Sequence, residues 1–301
     1  MLKLDEKKIR KGKPIGLPYQ GSKKKVSKKI VEIIKQNFGT DKPIYDIFGG
    51  GGAITAECVL NGLEVHYNDL DKDITNAFER VISQDREWIK TLIVSRDEFF
   101  EIKAKENKTT DYFLKLLVNS FGNDKKSYLY SKGVSDLKYN IAKEIIEKHD
   151  VFSGYTQTET YKRSIVKLLR LEQLERRQRF QQLEQLQQLQ QLQRLQQLQK
   201  LNKIKATNKS YHTFSDVSGA VLYLDPPYEG SHQKSYINSF DSQEFYDWAF
   251  EIAKTNIVII SSYSISDERF EVVYSFDKAH STLEGGTRND KCEKLFMVKN
   301  S

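Results

Sequence analysis

Residues 43–69 constrain the fold of this chain more than any other stretch. An apolar strand over 43–48 leads into Gly49–Gly52 and then into a helix that reaches Leu60, and a second strand ends at Tyr67. Strand, glycine turn, helix and strand in this order predict a parallel β-α-β unit. Because glycines let a ligand approach the backbone at the start of a helix, the unit predicts an α/β fold with a nucleotide-like pocket.

An acidic residue, Asp69, follows the second strand of this unit. It lies about 20 residues after the glycine turn, where folds of this class place an acid on a ribose hydroxyl. No Lys-Ser or Lys-Thr pair follows the glycines, which argues against a Walker-type nucleoside triphosphate site. From this unit alone, a dinucleotide remains an alternative ligand.

A second informative stretch, Val221–Tyr228, combines an apolar strand with a rigid polar turn. Four apolar residues lead to Asp225-Pro226-Pro227-Tyr228, and the proline pair ends the strand because it lacks N–H donors and fixes φ. The carboxyl ends of strands are where open α/β sheets bind ligands. The stretch therefore predicts a carboxylate and a flat ring held in a site, against the alternative of an ordinary turn.

Positive charge is concentrated in the first 30 residues of the chain. Most of these lysines are interpreted as a solvated surface, but Lys23 follows Gly21 and Ser22, where a ligand can approach the backbone closely. The net charge of +7 and the pI near 9.0 favour a polyanionic partner without establishing one.

Several classes of protein are disfavoured by composition. No apolar run approaches the roughly 20 residues needed to cross a bilayer, and the N-terminus lacks the apolar core of a secretory signal. Two cysteines make a disulfide framework unexpected and the cytoplasm the expected location. The cysteines and scattered histidines form no metal-ligand pattern, so no metal site is predicted.

The composition of residues 119–130, which combines amides, lysines and aromatic residues, is typical of a segment that contacts nucleic acid. Amides can read adenine edges, lysines can hold phosphates and aromatic rings can stack on bases. The candidate DNA-binding residues are Asn119, Phe121, Asn123, Lys125, Lys126 and Tyr128. An ordinary polar loop is the alternative.

Residues 171–201 form a low-complexity repeat in which an apolar residue, nearly always leucine, recurs every third position except at Arg177. Glutamine dominates between the leucines and neither Gly nor Pro occurs, so a helix is the first prediction. Successive leucines would drift by about 60° around an α-helix, which excludes a heptad coiled coil. A helix enclosed by other elements and a stack of short extended segments both remain open.

Three motifs resemble those of the Dam-like family of DNA adenine-N6 methyltransferases and occur in that family's order. They are Tyr19-Gln20-Gly21-Ser22-Lys23, Phe48-Gly49-Gly50-Gly51-Gly52 and Asp225-Pro226-Pro227-Tyr228. Asp69 falls where the family has its ribose-binding acid. The resemblance covers residues 15–85 and 205–300 and fades between them.

The resemblance implies an α/β, Rossmann-like S-adenosylmethionine-dependent methyltransferase sheet with an inserted, mostly helical target-recognition region. The catalytic domain is then expected over 1–105 and 206–301, and the target-recognition region over 106–205. The implied activity is methyl transfer from S-adenosylmethionine to the N6 amine of a flipped adenine in double-stranded DNA. A cognate restriction endonuclease is left open as a partner, and an RNA adenine methyltransferase or a non-catalytic DNA-binding relative is the alternative.

The resemblance also assigns individual roles. Asp225, Pro226, Pro227 and Tyr228 form the catalytic turn, in which the acid and the Pro226 carbonyl accept hydrogen bonds from the adenine amine and Tyr228 stacks on the base. The implied cofactor-binding residues are Tyr19, Gly21, Lys23, Phe48, Gly49, Gly51, Asp69, Tyr211 and Asp225.

Overall fold

The described part of the chain divides into two structural units. The computed structural model describes residues 1–19, 21–174, 183–198, 203–229, 240–276 and 292–299, and for 169–174 it describes the backbone alone. The first unit comprises Met1–Pro14, Lys23–Thr75 and Lys203–Ser301, and the second comprises Ile15–Ser22 and Asn76–Asn202.

The first unit is built on a β-sheet. Its described strands are Ile44–Asp46 (β1), Val65–Tyr67 (β2), Val221–Leu224 (β3), Ile257–Ser262 (β4), Phe270–Ser275 (β5) and Lys294–Val298 (β6). The order across the sheet is β2-β1-β3-β4-β6-β5. The pairs β1–β2, β1–β3 and β3–β4 are parallel, whereas β6 is antiparallel to both β4 and β5.

This strand order creates a crevice at the centre of the sheet. The next strand after β1 in the chain lies on one side of it, and β3 lies on the other side. Such a switch point opens a crevice beyond the carboxyl ends of the strands, where α/β proteins bind ligands. All four residues of β3 are buried, as the apolar run before Asp225 predicts. The predicted mixed α/β sheet is confirmed.

Both units contain helices. The described ones are Ser27–Phe38 (α1), Ala53–Leu60 (α2), Lys72–Ser83 (α3), Arg86–Lys90 (α4), Arg96–Ala104 (α5), Thr110–Val118 (α6), Ser135–Lys148 (α7), Glu159–Leu174 (α8), Glu184–Gln196 (α9) and Ser242–Ile252 (α10). In the first unit, Phe245 and Ala249 of α10 pack with Leu222 and Ile260 of the sheet in one core cluster. None of the helices in the described part of the chain is long and apolar enough to span a membrane.

The main segment of the second, helical unit begins at Asn76, whereas the target-recognition region is predicted to begin at residue 106, and that assignment stays a prediction. The unit begins at Asn76 because of packing: α4 lies against α9, and α5 lies against α6. Val94, Phe99 and Ile102 share a core with apolar side chains from 116–134. The return to the first unit, at Lys203, lies close to the expected position.

Within the described part of the chain, the Leu/Gln repeat is helical over 171–174 of α8 and over α9, and only Leu183 before α9 and 197–198 after it are not helical. Residues 175–182 and 199–202 lie outside the described part. The five leucines Leu183, Leu186, Leu189, Leu192 and Leu195 are all buried. From Leu186 to Leu195 the leucines sweep about half the circumference of the helix, since each residue turns about 100°. A helix with so wide an apolar surface has to be enclosed, and α4 and α6 both pack against α9. The helix prediction is confirmed for this part of the repeat.

Candidate active site

Charged and polar side chains gather at the edge of the sheet where the parallel strands end. Asp46 closes β1, Asp225 directly follows β3, and Ser261 lies near the end of β4. Because β6 runs antiparallel to β4, the residue that precedes β6, Glu293, lies at the same edge. This is the edge at which the crevice of the sheet offers a ligand site.

Asp225 is held by an ion pair with Lys23. The Lys23 Nζ atom lies 2.7 Å from Asp225 Oδ1 and 3.7 Å from Glu293 Oε2, and all three side chains are largely buried. The same ammonium group donates a hydrogen bond to the Tyr228 hydroxyl and lies 4.8 Å from the centre of its ring. One lysine therefore ties together the acid and the ring of the Asp225–Tyr228 turn.

The Tyr228 ring is fixed at its hydroxyl and along its edge. Its hydroxyl donates to Glu293 Oε1 at 2.7 Å, and the Ser261 hydroxyl donates to the same oxygen at 2.6 Å. The Tyr263 ring packs edge-to-face with it at a centroid distance of 4.6 Å. A ring anchored in this way keeps one plane, which suits it to pack against a second flat ring.

Burial and charge pairing act on the pKa values of this cluster in opposite senses. Burial raises the pKa of Asp225 to about 6, although the neighbouring Lys23 lowers it. Burial lowers the pKa of Lys23, but Asp225 and Glu293 outweigh this effect and hold that pKa above its usual value. Above pH 7 the pair is therefore a carboxylate and an ammonium group.

The glycine loop between β1 and α2 has a backbone that larger residues would strain. Gly50 and Gly52 have φ angles of 48° and 70°, in the left-handed region. At Gly49 a Cβ atom would lie 2.4 Å from the Tyr67 ring. The Gly49 N–H also donates to the Asn68 carbonyl at 2.8 Å. The loop is therefore held closely against the end of β2.

Asp69 fastens the same loop from the end of β2. Its Oδ2 accepts from the Gly50 N–H at 2.7 Å, and its Oδ1 accepts from the Asp71 N–H at 2.8 Å. Burial raises the pKa of Asp69 to about 6 despite these two hydrogen bonds, which lower it. The acid singled out by its spacing thus lies at the glycine turn.

Asp46 adds another carboxyl group to this edge. It is buried, and Thr55 donates to its Oδ2 from both the N–H and the hydroxyl. Burial raises the pKa of Asp46 to about 7, and the charges of Asp225 and Asp69 act in the same direction. Together with Glu293 these acids outnumber Lys23, so the edge has an excess of negative charge that favours a cationic ligand.

An aromatic cluster borders the glycine loop. The Phe48 ring lies 6.0 Å from Tyr211 and 5.7 Å from Phe245, and Tyr211 lies 4.9 Å from Trp248, all between centroids. The segment before Tyr211 is fixed to the end of β2, where Asn68 Oδ1 accepts from the Lys209 N–H at 3.0 Å. The cluster offers flat apolar surface of the kind that binds a planar ring.

Comparison with known protein families identifies the family of this chain. The profile of the D12 class N6 adenine-specific DNA methyltransferases matches residues 19–284. The chain belongs to this family. It is therefore a site-specific DNA methyltransferase that modifies adenine at N6, and DNA is its substrate. No curated protein matches the chain significantly.

Two predicted cofactor residues of this methyltransferase, Tyr19 and Gly21, belong to the second unit. Tyr19 is half-buried, and its carbonyl accepts from the Ser22 N–H at 3.2 Å. Gly21 has a φ of 78°, which explains a glycine at this position. Gln20 lies outside the described residues, and the roles of Tyr19 and Gly21 remain predictions.

The predicted DNA-binding residues divide into an exposed and a buried set. Phe121 is 47 % exposed, Lys126 is exposed, and Asn123 and Lys125 are half-buried. They lie on a loop, 121–127, whose ends are joined by a bridge between Ser120 and Tyr128. Asn123 and Lys125 have φ angles of 58° and 60°, so the loop has a specific, tightly turned backbone.

The buried set consists of Asn119 and Tyr128, for which the structure favours a different role from the predicted one. Asn119 is fully buried, and its Nδ2 donates to the carbonyls of Leu92 and Lys115. The Tyr128 hydroxyl donates to the Val94 carbonyl at 2.8 Å. Because their polar atoms are used inside the unit, we assign these two residues to the support of the loop instead of to direct contact with DNA.

Sequence patterns miss three members of the site, namely Glu293, Ser261 and Asp46. Ser261 and Asp46 carry a weak signal, because each is a polar residue at the end of an apolar strand. Glu293 carries none, since it is brought to the site only by the antiparallel direction of β6.

Proposed function

We propose that this methyltransferase uses S-adenosylmethionine as methyl donor and the Asp225–Tyr228 turn as its catalytic centre. The observation that carries this proposal is the pairing of Asp225 with Lys23 at the end of β3, with Tyr228 anchored beside it. An enzyme that alkylates an amine needs an acceptor for the amine protons and a surface for the base. This turn offers both within four residues.

The residues at the glycine loop suit the proposed cofactor. S-adenosylmethionine, when bound, supplies an electrophilic methyl group on a positively charged sulfur. Excess carboxylate charge from Asp46, Asp69, Asp225 and Glu293 favours such a cation. We assign the ribose hydroxyls to Asp69, the adenine ring to Phe48 and Tyr211, and the close backbone approach to Gly49 and Gly51. The amino-acid end is assigned to Lys23, while the roles of Tyr19 and Gly21 rest on the resemblance alone.

The nitrogen atom that the catalytic turn has to activate is a weak nucleophile. The exocyclic nitrogen of adenine has its lone pair delocalised into the ring, and hydrogen bonds from its protons to Asp225 and to the Pro226 carbonyl localise that pair on nitrogen. Lys23 and Glu293 hold Asp225 and Tyr228 in place before the base arrives, so positioning supplies much of the catalysis. Pro227 limits the motion of the turn.

Access to this centre requires adenine to leave the duplex. The N6 atom cannot be reached inside stacked DNA, and enzymes of this type rotate the nucleotide into a pocket at a cost of a few kcal/mol. We propose that Tyr228, whose plane is fixed by Glu293 and Tyr263, stacks on the flipped base. The intact acid argues against a non-catalytic DNA-binding relative, which would have no use for this buried ion pair.

Expression in a host that lacks DNA methylation tests the proposal. We expect N6-methyladenine at one sequence context across the host genome, mapped by sequencing that detects modified bases. Purified protein should transfer labelled methyl groups from S-adenosylmethionine to DNA containing that context. Protein that is folded and binds S-adenosylmethionine, yet leaves every adenine unmodified, would overturn it.

We further propose that the 121–127 loop contacts DNA through Phe121, Asn123, Lys125 and Lys126. Lysines on a fixed loop can contact the phosphates of DNA, and an exposed aromatic ring beside them can stack on a base. The double variant Lys125→Ala/Lys126→Ala is expected to raise KM for DNA. It should also reduce the slope of log KM against log salt by about 1 for each phosphate that is no longer neutralised.

The matched control is Lys254→Ala/Lys299→Ala, which removes the same charge from two exposed lysines. Lys254 lies just before β4 and Lys299 just after β6, so both are at the sheet edge opposite Asp225. Equal salt slopes for the two double variants would mean that the loop lysines act only through overall charge.

A further inference from the structure

The Leu/Gln repeat contributes a buried glutamine beneath the 121–127 loop. Gln185 of α9 is fully buried. Its Nε2 lies within hydrogen-bond distance of Asn119 Oδ1 (2.6 Å), the Val94 carbonyl (3.0 Å) and the Tyr128 hydroxyl (3.2 Å), which share its two hydrogens. Two of its three partners flank the loop, since Tyr128 directly follows it and Asn119 lies two residues before it.

These partners connect Gln185 to the course of the loop. The Leu129 N–H donates to the Asn119 carbonyl at 2.9 Å, and Ser120 pairs with Tyr128 across the base. Both ends of the loop are therefore tied to one buried amide group. A shift of that group would move both ends together, since buried hydrogen-bond networks have few alternative arrangements.

We infer that Gln185 is a positioning residue for DNA recognition, which fixes the orientation of the 121–127 loop from inside the helical unit. The inference rests on the proposed contact of that loop with DNA. The Leu/Gln repeat then has a specific role. Its leucines pack α9 into the interior of the unit, and one of its many glutamines forms hydrogen bonds at the base of the loop. Gln188 and Gln191 occupy the same place in the repeat, so the sequence does not single out Gln185.

The variant Gln185→Met tests the inference with little change in volume. Each acceptor keeps another hydrogen bond, since the Val94 N–H still donates to Asn119 Oδ1 and the Tyr128 hydroxyl still donates to the Val94 carbonyl. The change also removes Gln185 Oε1, which is buried and has no hydrogen-bond partner among the described residues. We therefore expect Gln185→Met to fold.

The expected result is a KM for DNA raised about fivefold to tenfold, the scale of one or two hydrogen bonds, with KM for S-adenosylmethionine unchanged. Methylation of near-cognate sequences should rise relative to the preferred site, as measured by sequencing. Gln190→Met is the matched control, because Gln190 is on the same helix and donates to the Val151 carbonyl at 3.0 Å, away from the loop. Equal effects of the two variants would overturn the inference.

A double-mutant cycle separates this role from general stability. In the background Phe121→Ala/Lys125→Ala/Lys126→Ala, the effect of Gln185→Met on DNA binding should be much smaller, because three of the four side chains that it positions are absent. An undiminished effect would mean that Gln185 does not act through the loop. If the triple variant itself binds DNA as the wild type does, the proposed loop contact fails as well; if only Gln185→Met is without effect, the role of Gln185 alone is wrong.

Discussion

Asp225→Ala is expected to reduce methyl transfer to adenine by about 10²–10³-fold or more, the usual loss when a positioned hydrogen-bonding group is removed from a reacting centre. The amine would have no charged acceptor for its protons, so its lone pair would stay delocalised. Cofactor affinity should fall far less than the rate, because Asp69 and the glycine loop are untouched and Asp225 supplies only part of the negative charge of the site. Single-turnover methylation of a DNA duplex containing the target site measures the rate, and calorimetry measures cofactor binding.

The folding of this variant is checked by its thermal midpoint beside the rate, because Asp225→Ala leaves the buried Lys23 ammonium group without its closer partner. Lys23 keeps Glu293 as a partner at 3.7 Å. Asp225→Asn, assayed at pH 8 where the wild-type carboxylate is ionised, keeps the side-chain volume and isolates the charge. A rate within tenfold of wild type for both variants would remove Asp225 from the mechanism.

The parts of the site that the sequence reveals are those encoded by short, continuous patterns. The apolar run before Asp225 gives a buried strand, and the glycines after Phe48 give the loop and the start of α2, because each depends on neighbouring residues. Their meeting at one edge follows from the rule that parallel strands end together. Local sequence patterns therefore predict the central parallel strands of the sheet and the acids Asp69 and Asp225 that follow them.

Other features depend on contacts between distant residues, which no local pattern encodes. Glu293 reaches Tyr228 only because β6 runs antiparallel beside β4. The boundary at Asn76 is set by α4 and α5, whose apolar residues would suit either unit by sequence alone. Gln185 is chemically identical to its neighbours in the repeat, and only the packing of α9 brings it to Asn119. Asn119 itself is of a residue type that can read a base, yet its amide nitrogen and oxygen both form hydrogen bonds to distant residues of the same unit.

Asp69→Ala is expected to weaken S-adenosylmethionine binding by about 10–100-fold, the scale of a charge-assisted hydrogen bond. Two effects act in the same direction. The ribose hydroxyls lose their proposed acceptor, and the Gly50 N–H loses its own, which loosens the glycine loop. Calorimetric titration with S-adenosylmethionine measures the affinity, while KM for DNA should stay near that of the wild type.

The control for charge alone is Asp73→Ala, which removes an exposed carboxylate four residues further along the chain. Thermal midpoints at pH 8 show whether a loss of binding comes from a loss of folding. Burial raises the pKa of Asp69 to about 6, so its ionised form does not stabilise the fold at that pH. We therefore expect no large drop in the thermal midpoint of Asp69→Ala. Asp69→Asn should be intermediate, because an amide oxygen can still accept from Gly50. Unchanged cofactor affinity in Asp69→Ala would mean that the acid only shapes the loop, and the ribose would have to be bound by another residue.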